Sequence, residues 1–265
     1  MVLTHPVRCG RSGRCFVAAR LAPILLALAA SNLEAQTRRW ERSVQLSTNA
    51  WYGAAHARVV ATELGVSRTD STVTVRSDLQ LGYADDRDEN ESWRVTARAM
   101  RASLALDYRP FARYSPFGFG SIESSLQARI ARRYNVGLGA KLTLRRKGQD
   151  DLSVSLALLE ERTRALTSGE SIGDLTGRRR WSFRFRYRRQ LTPSLYASQV
   201  TFYQPAVGAV TDRYIVDANT SVEATLTSIL SLTGTLRHRY DSEARGRGAA
   251  SNTDGHLLIG ARARF

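Results

Sequence analysis

The stretch Arg178–Pro193, RRRWSFRFRYRRQLTP, decides the fold. Trp181, Phe183, Phe185 and Tyr187 take every second position, with Ser182, Arg184, Arg186 and Arg188 between them. A helix, turning ~100° per residue, would scatter both sets around its whole surface. A strand sends successive side chains to opposite faces, so here one face is aromatic and the other almost entirely cationic. Two uses fit such a strand: a basic sheet that binds nucleic acid, or a wall whose aromatic side meets lipid while its arginines face a watery lumen.

The same alternation recurs along the chain. Val73, Val75, Leu79, Leu81 and Tyr83 oppose Thr74, Arg76, Asp78 and Gln80. Tyr134, Val136, Leu138, Ala140, Leu142 and Leu144 oppose Arg133, Asn135, Lys141, Thr143 and Arg145. Leu230, Leu232 and Leu236 oppose Ser231, Thr233, Thr235, Arg237 and Arg239; Leu257, Ile259, Ala261, Ala263 and Phe265 oppose His256, Arg262 and Arg264, with Leu258 as the exception. Twelve such segments are read, near 41–51, 57–67, 71–83, 92–109, 115–123, 130–146, 150–163, 178–190, 194–204, 213–228, 230–240 and 255–265. The second alternates poorly, which leaves ten strands as the alternative. The fourth changes parity, which predicts a bulge near Ala99–Arg101.

Connections alternate in length. The turns TDS, KGQ, LTP and SI are tight, whereas ADDRDENE, RALTSGESIGDLTG, QPAVGAVTD and DSEARGRGAASNTD are long and polar. An up-and-down barrel with one end in the periplasm and the other outside produces this pattern, and a soluble sandwich has no reason to. The fold expected is all-β: a transmembrane antiparallel up-and-down barrel over residues 36–265, with both ends of the mature chain periplasmic.

The first 35 residues read differently. Arg8, Arg11, Arg14 and Arg20 accompany the apolar run Leu21–Ala30, and small residues lead to Ala35, the layout of a secretory signal peptide cleaved after Ala35. Both cysteines, Cys9 and Cys15, would leave with it, so the mature chain would hold no disulfide, and a lipid anchor on cysteine is not expected. Cleavage removes four arginines and one acid, Glu34, and lowers the net charge from +15 to +12. Such a charge suits nucleic acid or an anionic surface. Export argues against nucleic acid, and the arginines alternate with apolar residues instead of forming runs.

The chain ends in LLIGARARF, with Phe265 on the apolar face of the last strand, an ending that the outer-membrane assembly machinery reads. Ser103–Leu142, SLALDYRPFARYSPFGFGSIESSLQARIARRYNVGLGAKL, is similar to a stretch of the salt-induced outer-membrane protein family, catalogued as a domain of unknown function. There an aromatic-rich strand leads into one rich in glycine. The closing LTGTLRHRYDSEARGRGAASNTDGHLLIGARARF resembles that family's ending too. The resemblance runs from about Arg42 to Phe265 and departs at Asn49–His56, where NAWYGAAH stands in place of a Ser-Gly-Asn turn. It implies an outer-membrane barrel and supplies no catalytic residues.

Parity places Arg94, Arg98, Arg133, Lys141, Arg145, Arg184, Arg186, Arg188, Arg237, Arg239, Arg262 and Arg264 inside the barrel, with Asp78, Asp107, Glu123, Asp217 and Glu223. Two readings follow: a pore that attracts small anions, or a polar plug in which arginines pair with the acids. A twelve-stranded lumen lies between filled and open sizes and does not choose between them. An enzyme is not expected. His238 with Ser242 is the nearest candidate for a lipid-cleaving pair, and the acids of DDRDE, Asp85–Glu89, for a protease rim; a belt histidine and a solvated loop explain them as well. No P-loop or metal-spaced histidine cluster is present, and no cofactor is expected. The remaining partners are outer-membrane lipid, the assembly machinery through Phe265 and small anions, or a surface ligand bound by the long loops.

Overall fold

The structure is a computed structural model describing residues 40–51, 57–87, 93–166 and 172–265. Twelve strands follow in chain order: β1 Trp40–Trp51, β2 Ala57–Thr69, β3 Val73–Arg87, β4 Trp93–Tyr108, β5 Tyr114–Ser125 and β6 Ile130–Lys147. The second half holds β7 Asp150–Leu166, β8 Ile172–Thr192, β9 Leu195–Ala206, β10 Ala209–Thr225, β11 Leu230–Asp241 and β12 Thr253–Arg264. Each pairs antiparallel with its neighbours in sequence, and β1 pairs with β12 to close a barrel. Closure satisfies the backbone groups that an open sheet would leave bare, the condition for any sheet placed in lipid. The ten-strand alternative fails at β2, which pairs with β1 from Ala57 to Arg68 and with β3 from Ala57 to Thr69.

The outer wall is apolar. Leu138, Leu158 and Trp181 form one cross-strand row on β6, β7 and β8; Ala140, Leu156 and Phe183 form the next, and Leu142, Val154 and Phe185 the third. Leu138 is 74% exposed and Phe183 45%. So continuous an apolar surface is not tolerated in water and marks contact with lipid. Arg179 and Arg189 face outward on either side of the β8 belt. The ten residue steps from one to the other span ~33 Å of strand, or ~25 Å across the membrane at a tilt near 40°, the height of a barrel's apolar band.

Both described chain ends, Trp40 and Phe265, lie at one end of the barrel, called here the terminal end, with the turns after β2, β4, β6, β8 and β10. The opposite, loop end carries the 242–252 connection. Much of the polar sequence expected there as loop is strand. Asp85 is paired in β3 and bonded to Arg58 of β2 at 2.6 Å, and Ile172–Gly177 pairs with β7. QPAVGAVTD is also not a long loop: Ala206 faces Ala209 around a two-residue turn whose Gly208 has φ 83, open to a residue without a Cβ, and the register slips between Ala209 and Tyr214.

The bulge expected at Ala99–Arg101 lies at Thr96 instead: Ala84 faces Ala97 while Asp85 faces Val95. The shift reverses the parity read from Trp93 onward, so Arg98 faces outward and Arg101 inward. A second slip, between Thr143 and Arg145, sets Arg145 opposite Leu152 on the outer wall and turns Arg146 toward Asp151, 3.6 Å away. Arg145, expected inside, is exposed. The signal peptide, the first hairpin tip with its NAWYGAAH departure, Arg94's side chain and Asp88–Glu89 lie outside the described residues.

Candidate functional site

The inward side chains line a cavity of about 950 Å³. Its charges fall into two groups, one paired and one without ion pairs.

Toward the loop end the charges are paired across the lumen. Arg133 of β6, 1% exposed, donates to Glu123 of β5 at 3.0 Å, to Thr163 of β7 at 3.1 Å and to Asp241 of β11 at 3.3 Å. Arg239 donates twice to the same Glu123, at 3.0 and 3.2 Å, and Arg101 reaches Asp217 at 3.4 Å. Arg180, also 1% exposed, forks onto Glu161 at 3.1 and 3.2 Å and reaches Glu243 at 3.2 Å. Carboxylates that each receive two or more guanidinium hydrogen bonds are the strongly held kind.

The β11–β12 connection folds into this network. Glu243 pairs with Arg178 as well as Arg180. Arg247, on the 3-10 turn Arg245–Arg247, bonds Asp241 at 2.6 Å and the Ala128 carbonyl at 3.3 Å, reaching the turn between β5 and β6. Ala244 and Ala249 are buried beneath it. Burial pulls the Arg247 guanidinium below its usual range while Asp241 pulls the other way, as expected of a segment packed into the mouth and not hanging in solvent. The loop-end mouth is therefore narrowed by a strap tied on both sides.

Toward the terminal end, at β3 and β8, the balance changes. Arg184, Arg186 and Arg188 stand inward on β8 as the alternation indicated, joined by Arg76 of β3 and Lys141 of β6. Among the described residues none of the four arginines has a carboxylate within 4.0 Å. Arg184 donates to Ser155 at 3.0 Å and lies over the Phe117 ring, and Arg188 lies over Tyr196. Arg186 lies within electrostatic reach of Arg76, Arg184 and Arg188, with Asp151 as the acid nearby. Lys141 has Asp107 at 3.6 Å. Phe117 and Phe119 lie flat against the wall because their cross-strand partners are Gly139 and Gly137, which leave no side chain in the way.

The other sequence candidates take their places around these two groups. Arg262 and Arg264 share Glu223 at 2.9 and 2.8 Å, Arg237 pairs with Glu63 at 2.8 Å, and Asp217 holds Arg101. Phe265 lies outside, its backbone bonded to Arg42 of β1 in both directions. Sequence reasoning set Arg76 on a polar strand face without counting it among the inward charges, and passed over Arg101, Arg180, Glu161, Asp241 and Glu243. Arg180 and Glu161 share the parity of Arg184 and Ser155 and could have been read; Arg101 needed the bulge placed correctly.

For the catalytic candidates the geometry is plain. His238 faces outward, and the Ser242 hydroxyl accepts the Tyr214 amide at 3.0 Å. Among the described residues no three His, Cys, Asp or Glu side chains group as metal ligands would.

A closed antiparallel barrel with an apolar exterior and a charged interior is of the membrane-spanning β-barrel class. The family described as "Protein of unknown function, DUF481" matches residues 29–263, and the chain belongs to it. Solved structures similar to it include an outer membrane channel from Pseudomonas putida, at TM-score 0.49 and 11% identity over 88% of this chain and 97% of that one. The NanC porin gives 0.45 and 9%, over 84% and 97%. The translocator domain of the autotransporter NalP from Neisseria meningitidis gives 0.43 and 13%, over 94% and 96%. These are likenesses of barrel fold. No curated protein matches the chain in sequence.

Proposed function

We propose that this is a non-enzymatic outer-membrane barrel of the salt-induced type, exported by a leader ending at Ala35, whose terminal-end vestibule faces the periplasm and admits small anions. The observation that carries the reading is the contrast between two groups of interior arginines. Arg101, Arg133, Arg180, Arg237, Arg239, Arg262 and Arg264 each have a carboxylate within 4.0 Å; among the described residues Arg76, Arg184, Arg186 and Arg188 have none. Like charges gathered in a confined lumen raise the local concentration of counter-ions, and the counter-ions here are anions. The strap at 242–252 makes the conduit narrow at its outer mouth.

Planar-bilayer conductance tests it. The mature barrel should conduct with anions favoured over cations, and Arg184→Gln/Arg186→Gln/Arg188→Gln should lower that preference several-fold while leaving folding intact, on the order expected of a ring of pore charges. A wild-type barrel that is folded and passes no current would refute the conduit.

A further inference from the structure

Above the belt on the outer wall, β6, β7 and β8 carry a second basic group. Arg132 faces Arg164, which faces Leu175; one row nearer the lipid, Tyr134 faces Arg162; and in the row below, Glu160 faces Arg179. The Leu138, Leu158 and Trp181 row lies directly beneath. Four arginines thus share one acid: Glu160 lies 3.5 Å from Arg179 and 4.0 Å from Arg162. Among the described residues the Arg132 and Arg164 side chains make neither a hydrogen bond nor an ion pair, although they stand directly opposite each other, an arrangement that costs stability unless an anion sits between them. A groove of about 390 Å³ opens there, lined by Arg132, Tyr134, Arg162, Arg164, Ile172 and Leu175.

We infer that this groove holds a phosphate-bearing glycolipid of the outer leaflet, its headgroup phosphate between Arg132, Arg162 and Arg164 and its acyl chains along Leu138, Leu158 and Trp181. Guanidinium forks match phosphate oxygens two by two. A free inorganic anion would satisfy the arginines and make no use of the Leu138, Leu158 and Trp181 row beneath them. An amphiphile satisfies both, in the vertical order that the wall presents them. The inference rests on the proposed orientation, with the loop end outside, and not on conduction.

Native mass spectrometry of the full mature barrel in detergent, offered bisphosphorylated lipid A, phosphatidylglycerol and phosphatidylethanolamine together, tests it. The wild type should retain lipid A over both phospholipids by about tenfold, and Arg132→Gln/Arg162→Gln/Arg164→Gln should lose that preference. Arg184→Gln/Arg186→Gln/Arg188→Gln should keep it, whether or not the barrel conducts. Should the outer triple variant fail to fold, as judged by heat-modifiable gel mobility, Arg164→Gln alone should still lower retention about threefold, since that side chain makes no internal bond. Lipid A retained undiminished by a folded outer variant, or phosphatidylglycerol retained equally well, would overturn the inference.

Discussion

Arg133 on β6 meets Asp241 on β11 at 3.3 Å across the inside of the barrel, although the two strands stand five places apart in the wall. The contact is a brace. It joins opposite sides of a cylinder that neighbouring hydrogen bonds hold only edge to edge, and it roots the β11–β12 strap, because Asp241 also holds Arg247.

Glu123 is the acid on which this brace turns, receiving Arg133 and both arms of Arg239 with its side chain 5% exposed. Glu123→Gln preserves the shape and leaves two arginines without their shared charge. The expected loss is about 3–5 kcal/mol of barrel stability, the size seen when one partner of a buried pair is removed. Urea unfolding in lipid vesicles measures it; a midpoint like the wild type's would mean the network carries no load.

Two glycines should respond in opposite senses. A Cβ on Gly139 would stand 2.3 Å from the Leu156 carbonyl oxygen and 2.7 Å from the Ala157 Cα, backbone atoms that cannot step aside, so Gly139→Ala should destabilise by about 1–3 kcal/mol. At Gly234, in mid-strand on β11, a Cβ meets nothing within 4 Å. Gly234→Ala should stabilise by about 0.5–1 kcal/mol, because the unfolded chain loses freedom. The same vesicle unfolding assay ranks both, and a destabilised Gly234→Ala would contradict the open space at that site.

Phe265 contributes backbone bonds to Arg42 at 2.9 and 3.0 Å and an outward ring that is 54% exposed. Phe265→Ala keeps the bonds and removes the ring. Stability of the refolded barrel should change by no more than about 0.5 kcal/mol, as for surface positions generally, while the amount reaching the outer membrane should fall. Equal outer-membrane levels in fractionated cells would show that the terminal aromatic is not read during assembly.

Strand identity and facing were legible in the sequence because a period of two is a local property. Trp181, Phe183 and Phe185 needed no partner strand to be assigned outside, nor Arg184, Arg186 and Arg188 to be assigned within. Where a bulge inserts one residue, parity reverses beyond it. Arg98 and Arg145 were misplaced for that reason, and Arg101 and Arg146 were the residues that took the inward positions. The bulge positions are set by what the neighbouring strand offers, which a single strand's pattern does not contain.

The sequence alone determined that this is a β-barrel with an aromatic outer belt and a cationic interior, since alternation within each strand follows from backbone geometry. Only the tertiary structure decided which of those interior cations are free. Arg133 and Arg186 have the same parity and the same chemistry. One is enclosed by Glu123 of the adjoining strand and by Asp241, 108 residues away, and the other faces Arg76, Arg184 and Arg188. The difference arises from which residues the barrel's closure and register bring across the lumen, and no local pattern encodes a neighbour more than a hundred residues away.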